Sequence, residues 1–320
     1  MNIWTQGAHG LKRKDIFSEE GSAEMKLGQY RIDGKEKLVL EERKTYADKK
    51  TKEKKEEILL AFKKNKEKLA LLQDRFYADG KEGIVFVIQA IDASGKDSLI
   101  RHACDTLNPQ GVTAYGFKAP TSEELSHDYL WRIVKRLPER GHIAIFNRSH
   151  YEDVVTVKVN ELKDKYAMAD RVLHDDMDTF FEKRCRQIRD FEEYLYENSY
   201  RVVKVFLHVS KEEQKERFLE RIDREEKNWK FNAGDLADRS RFNVFMQTYE
   251  DTINRTATKH SPWYVIPADN KWFTRYLFTE IMIHTIEECD PKYPVITQQQ
   301  REELAKCKEI LLAEDDEQVR

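Results

Sequence analysis

The sequence predicts an α/β fold, a doubly wound parallel sheet of about five strands with helices on both faces. Three observations carry this. Short apolar runs rich in β-branched residues alternate with helical stretches; one such run leads directly into Asp92-Ala93-Ser94-Gly95-Lys96; and polar residues with chemistry to offer cluster where the runs end. In an open parallel sheet those strand ends share one edge, where ligands bind.

Taken in order, the stretch up to about residue 33 is mixed, Gly-containing and without period, and reads as an arm that drapes over the body or pairs with another subunit. From about residue 50 to 77 Leu59, Phe62, Leu69, Leu72 and Phe76 recur at spacings near three and four or their sums, which predicts a helix with Gly80 at its C-cap. Residues 84–91 predict a buried strand, and a helix follows over 97–107. Asn108-Pro109-Gln110-Gly111 is turn chemistry before a strand over 112–118. Ser122 is expected to cap a helix carrying Tyr129, Ile133 and Leu137 on one face. Further strands are expected over 142–146, 202–209 and 263–266. Ser210, with Glu213 three residues on, opens a helix running through Arg221, another helix spans 271–289, and a charged one lies beyond Pro294. No internal repeat or low-complexity linker divides the chain. The expected organisation is an N-terminal arm (1–50), one catalytic domain (51–293) with a lid at about 211–258, and a helical tail (294–320).

Composition narrows the function. Lys and Arg number 56 against 59 Asp and Glu, so the formal net charge of -3 gives no global pull toward nucleic acid or an anionic membrane. A polyanion must therefore meet a local basic patch. Cys104, Cys185, Cys289 and Cys307 lie far apart without a C-x-x-C pair, which argues against a disulfide framework or a zinc site. No apolar run approaches the roughly 20 residues that span a bilayer. Met1-Asn2-Ile3-Trp4 does not begin a charged and then apolar leader. A soluble, reducing, cytoplasmic setting is expected.

A strand, a tight loop and a helix opening on Gly95-Lys96 bind phosphate for a physical reason. Loop and helix N-terminal N–H groups point at the anion, and the helix dipole favours negative charge there. Lys96 adds a cation that can follow a transferring phosphoryl group. The match to G-x-x-x-x-G-K-[ST] departs at Ala90 and at Asp97, which stands where a hydroxyl residue usually holds magnesium. Asp92, inside the loop, can supply that oxygen instead. The fold expected is therefore P-loop kinase-like, with a helical lid and a helical N-terminal extension.

Two other strand ends carry chemistry. Lys118 and Thr121 follow the second strand; Asn147-Arg148-Ser149-His150-Tyr151-Glu152 follow the third. Arg148 can fork onto phosphate oxygens. Asn147 stands where P-loop enzymes usually place a metal-holding Asp, which shifts the metal role toward Asp92. His150 reads as a hydrogen-bonded structural residue rather than a base. Glu152 either recognises an acceptor, joins a metal shell, or lies on the surface. Arg221, Arg224 and Lys230 are either lid cations that close over phosphate or members of a solvent-facing charged helix.

Asp92-Ala93-Ser94-Gly95-Lys96-Asp97, Phe117-Lys118-Ala119-Pro120-Thr121, Phe146 to Asp153, Asn228-Trp229-Lys230 and Ser261 to Lys271 occur in this order. Together, over roughly residues 50–290, they resemble the second family of polyphosphate kinases. The resemblance implies a magnesium-dependent enzyme that moves a terminal phosphoryl group between inorganic polyphosphate and adenine nucleotides. It implies catalytic roles for Asp92, Lys96, Arg148, Arg221 and Arg224, with Asp92 on the metal. Ala93, Ser94, Gly95, Asp97, Lys118, Thr121, Asn147, Glu152 and Lys230 complete the expected binding set. The Asn-Arg-Ser-His-Tyr-Glu form is similar to the branch that accepts AMP as well as ADP, and dimers or tetramers are implied. The mechanism expected is direct in-line attack with no general base, because a phosphate nucleophile is already ionised; Lys118, Arg132 and Arg136 are groove candidates, though Arg132 and Arg136 read better as solvated helix positions. The rivals are an ATP-dependent nucleoside monophosphate kinase of thymidylate-kinase-like type and a non-catalytic P-loop switch.

Overall fold

The computed structural model describes residues 27–232 and 234–317. A six-stranded sheet forms the centre: β1 (Arg31–Ile32), β2 (Gly83–Gln89), β3 (Val112–Gly116), β4 (Ile143–Asn147), β5 (Tyr200–His208) and β6 (Trp263–Pro267), in the order β1-β6-β5-β2-β4-β3. β2 runs parallel to both β4 and β5, β3 to β4, and β6 to β5. The chain thus winds outward from β2 in both directions, and the crevice between its two parallel neighbours opens at the carboxyl end of β2. β1 is the sixth strand. It pairs antiparallel with β6, Arg31 opposite Tyr264, and two residues are too few to show a period in sequence.

Every residue of β2 is buried, as is every residue of β6, which explains continuous rather than alternating apolar runs. Phe86 of β2 meets Phe278 edge-on, whereas Phe206 of β5 meets Tyr249. Phe206 pairs with Gln89, an odd number of residues from Phe86, so the two rings lie on opposite faces of the sheet. On the Phe278 face α1 (Lys55–Asp79) packs against α6 (Lys271–Glu288), with α2 (Lys96–Ala103) beside them. The other face carries α3 (Met177–Glu197) and α5 (Phe242–Thr256), and α4 (Lys211–Asp223) follows β5. α7 (Gln298–Glu317) ends the described chain, and its residues 298–314 are exposed.

Several local expectations shift. The helix expected from 50 divides into Lys49–Glu53 and α1, and Gly80 closes α1 with φ +62° and its N–H on the Phe76 carbonyl at 3.2 Å. Thr121, not Ser122, is the cap: its hydroxyl accepts from Glu124 N while the Glu124 carboxylate takes Thr121 N, a reciprocal box that needs Glu three residues on. Ser122 has Leu125 there. The single helix expected to follow is two short ones, Ser122–Leu125 and Trp131–Val134. Leu38, Leu40 and Ala47 are buried; Leu38 N and Leu40 N donate to Asn254 and Glu250 of α5, both at 2.7 Å. Residues 1–26 of the expected arm lie outside the described residues. No helix among the described residues is long and apolar enough to cross a membrane.

Candidate active site

The chain leaves β2 at Gln89 and turns into α2 through two left-handed residues, Ala93 at φ +62° and Gly95 at φ +102°. A left-handed alanine costs roughly 1 kcal/mol or more, so the loop must be held from outside. It is. Ser94 Oγ donates to the Ile91 carbonyl at 2.8 Å, and Lys96 Nζ to Ala90 at 2.8 Å and Ile91 at 3.2 Å. From α4, Gln214 Nε2 donates to the Asp92 carbonyl at 3.0 Å. Arg217 Nη1 reaches the Ala93 and Ser94 carbonyls at 3.3 and 2.5 Å, and its Nη2 reaches Ala268 at 2.6 Å.

Above the loop lies a cavity of about 510 Å³ whose charges are paired across it. Arg148, itself left-handed at φ +63°, forms an ion pair with Asp92. Asn147 Nδ2 donates to Asp97 at 2.8 Å, and Lys230 Nζ lies 3.2 Å from the same carboxylate. Arg221 lies 3.6 Å from Asp235, and Glu220 holds Lys227 at 2.5 Å and Lys271 at 3.9 Å. The two departures from the loop consensus therefore touch each other: Asp97 where a hydroxyl is usual, Asn147 where an Asp is usual.

Burial opposes the Asp92 charge, but Lys96, Arg148 and Arg221 outweigh it and hold the carboxyl below its usual range. Burial, then Arg148, pushes Lys96 down to about 8 against the pull of Asp92, Glu152 and Asp97. The Asp235 carboxyl moves up, through burial and then through the charge of Asp92.

Past Arg148 opens a second cavity of about 360 Å³, walled by Phe117, Pro120, Leu125, Val157 and Tyr166. Glu152 and Asp153 sit in it, with Glu152 accepting from Thr156 at 2.6 Å and burial pushing Asp153 up to about 6. Arg148 and Lys118 line both cavities. Behind them Glu192 of α3, fully enclosed, accepts from Tyr151 at 2.9 Å, Lys204 at 2.5 Å and Ser261 at 2.9 Å. This buried knot fixes the turn after β4 from which Arg148 projects.

Residues 49–294 match the family described as Polyphosphate kinase 2, about three quarters of the chain. The chain belongs to that family. It is accordingly a polyphosphate kinase, an enzyme. An ADP-polyphosphate phosphotransferase of Rhodopseudomonas palustris is 42% identical over 248 residues, covering 77% of this chain and 85% of that one. An AMP/ADP-polyphosphate phosphotransferase of Meiothermus ruber is 42% identical over 227 residues, covering 71% and 80%. The crystal structure of polyphosphate kinase 2 from Arthrobacter aurescens TC1 superposes with a TM-score of 0.75 at 30% identity, covering 87% of this chain and 96% of that one.

In this polyphosphate kinase Asp92, Lys96, Arg148 and Arg221 converge on the charged cavity, together with Ala93, Ser94, Gly95, Asp97, Lys118, Asn147 and Lys230. Glu152 faces the second cavity instead. Thr121 caps its helix and Arg224 pairs with Glu220 and Glu226 in solvent, so neither lines the charged cavity. His150 is buried with its ring 3.6 Å from Glu192, inside the structural knot. Sequence reasoning did not single out Gln214, Arg217, Asp235 and Lys271. Gln214, Arg217 and Arg221 recur at helical spacing on α4, and a polar stripe on a helix that must cover a sheet is the signal that could have found Gln214 and Arg217.

Among the described residues no group of three or more His, Cys, Asp or Glu is arranged to hold a metal ion by protein ligands alone. Magnesium does not need one, since it keeps waters and substrate oxygens and takes one or two carboxylates. Asp92 and Asp235 line the same cavity, and the Asp92 charge, which adds to burial in raising Asp235, is what a divalent cation beside both would relieve. The donor set fits the ion.

Proposed function

We propose that this polyphosphate kinase transfers the terminal phosphoryl group of inorganic polyphosphate to AMP and to ADP, reversibly and by direct in-line attack, with Mg²⁺. The observation that carries this reading is that Arg148 lines two adjoining cavities of different character. One is ringed by cations over a phosphate loop; the other is walled by apolar and aromatic side chains. Polyphosphate suits the first and a nucleoside the second, with the transferring group at Arg148 between them. The names of the two relatives described above, one specifying ADP and the other AMP and ADP, support the same acceptors.

The acceptor's phosphate oxygen is ionised at neutral pH and needs no base. Lys96, Arg148 and Arg221 balance the charge on the equatorial oxygens, and the fixed loop aligns donor with acceptor. Asp92 and Asp235 would hold the metal, which when bound supplies further neutralisation of the phosphate oxygens. Arg148 and Arg221 then exchange those carboxylates for phosphate.

Purified protein with Mg²⁺ is supplied with polyphosphate plus AMP, polyphosphate plus ADP, or ATP plus AMP, and products are separated chromatographically. ADP followed by ATP from AMP and polyphosphate is expected, and ATP with short polyphosphate should regenerate ADP and a longer chain. Turnover of AMP with ATP but not with polyphosphate would overturn the reading in favour of a nucleoside monophosphate kinase.

A further inference from the structure

The short helix Gly234–Ser240 touches the phosphate loop's surroundings at two points. Asp235, in its first turn, lines the charged cavity and lies 3.6 Å from Arg221. Arg239, in its last turn, reaches away from the cavity: its Nη1 donates to Gln214 Oε1 at 2.7 Å and to the Lys211 carbonyl at 2.8 Å. Gln214 is 2% exposed, and its Nε2 donates in turn to the Asp92 carbonyl at 3.0 Å.

An arginine only donates, so it accepts one orientation of the glutamine amide: oxygen toward Arg239, NH₂ toward Asp92. The Asp92–Ala93 peptide is planar and trans, so anchoring its carbonyl on Gln214 turns the Ala93 N–H to the opposite side. Ala93 is the left-handed non-glycine residue of the loop, where the backbone has least tolerance for drift.

We propose that Gln214 is a positioning residue that couples the placement of helix Gly234–Ser240 to the orientation of the Asp92–Ala93 peptide in the phosphate loop. Arg239 selects the Gln214 amide orientation, and Gln214 fixes the peptide beside the transferring phosphate. The placement of Asp235 beside the charged cavity is thereby linked to the orientation of the loop peptide. The kinetic half of this rests on the polyphosphate reading above; the structural half does not.

The test compares full-length parent, Arg239→Ala, Gln214→Leu and the double variant. Hydrogen exchange of the loop amides is measured without ligand, and turnover is measured with polyphosphate, AMP and Mg²⁺. Arg239 makes no hydrogen bond to the loop, so a purely local role leaves loop exchange untouched. Coupling predicts faster exchange at residues 92–96 in both single variants, and kcat lowered by about tenfold to a hundredfold with nucleotide KM within about twofold. The double variant is expected to lose no more than Gln214→Leu, because both remove one relay. Parent-like loop exchange in Arg239→Ala, or multiplicative losses in kcat, would overturn the proposal. If Gln214→Leu does not fold, Gln214→Glu decides: it keeps the Arg239 contact but presents an acceptor to the Asp92 carbonyl. Faster loop exchange then supports the coupling and unchanged exchange overturns it. A parent inactive with polyphosphate would defeat the functional reading, while the exchange comparison would still decide this one.

Discussion

At the scale of single residues the phosphate loop departs from its consensus in two places, and the departures compensate each other. Asp97 is accepted because Asn147, 2.8 Å away, donates to it. Asn147→Asp would set two carboxylates at that distance, so activity should fall and recover when Asp97 is changed to Ser alongside; kcat for the three variants tests this. The loss should be smaller than for Asp92→Asn, which removes the carboxylate proposed to hold the metal and is expected to abolish turnover. Asp92→Asn retaining parent-like rates would place the metal elsewhere. Lys96 supplies a pH test. Burial holds it at about 8 against an ordinary 10.5, so between those values the folded protein has released a proton that the unfolded chain retains. Its contribution to stability therefore rises with pH across that window, while the charge offered to phosphate is lost. In the free protein kcat/KM for polyphosphate should decline above about pH 8, and Lys96→Arg should remove that limb whatever its effect on the maximum.

At the scale of elements, the turn after β4 owes its placement to α3 and β5. Glu192 and Lys204 are both fully enclosed; burial of Glu192 is outweighed by Lys204 and His150, whereas burial of Lys204 is countered only in part by Glu192. Removing one partner strands a charge in the core. Lys204→Met alone or Glu192→Gln alone should destabilise the fold by on the order of 3–5 kcal/mol. Lys204→Met with Glu192→Leu should cost less than the sum, a non-additivity that denaturant titration would show. α7 is the opposite case. Leu304, Leu311 and Leu312 are all more than half exposed, and none of residues 298–314 is buried. Deleting residues 298–320 should leave the midpoint of thermal unfolding within a degree or two, since nothing in the core is opened.

At the scale of the molecule, a near-neutral protein concentrates its binding charge in one cavity and then neutralises it internally. Arg148, Lys230, Arg221 and the Lys227–Lys271 pair each rest on a carboxylate. A polyanion has to displace those carboxylates, and Arg148 and Arg221 would be released from Asp92 and Asp235 if those two carboxylates held a divalent cation. Metal and polyphosphate should therefore bind with positive, reciprocal coupling. Calorimetry with and without Mg²⁺ should show tighter polyphosphate binding with the ion, and equal affinity would refute the exchange. KM for polyphosphate should also rise steeply with salt, through release of counterions, while nucleotide KM should respond less because the cavity proposed for the nucleoside is largely apolar.

The α/β class, the central strand and the loop with Lys96 could be read from sequence because each rests on local physics. A buried parallel strand must be continuously apolar, and a phosphate loop must open a helix at Gly-Lys. The same holds for Arg148, which follows a strand end. Other features had no local signature. Two-residue β1 is a strand only because β6 lies beside it. α3 buries Arg184 and Glu192 on its inner face, which reads as solvated until Tyr129 and Lys204 arrive from elsewhere in the chain. Thr121 and Arg224 share the composition of a phosphate site, yet a neighbouring Glu draws each into a cap or a surface pair. Sequence alone determined which groups can meet phosphate. Only the tertiary structure decided which of them line the charged cavity, because whether a charged side chain faces it depends on the nearest opposite charge, and most of those partners are distant in the chain.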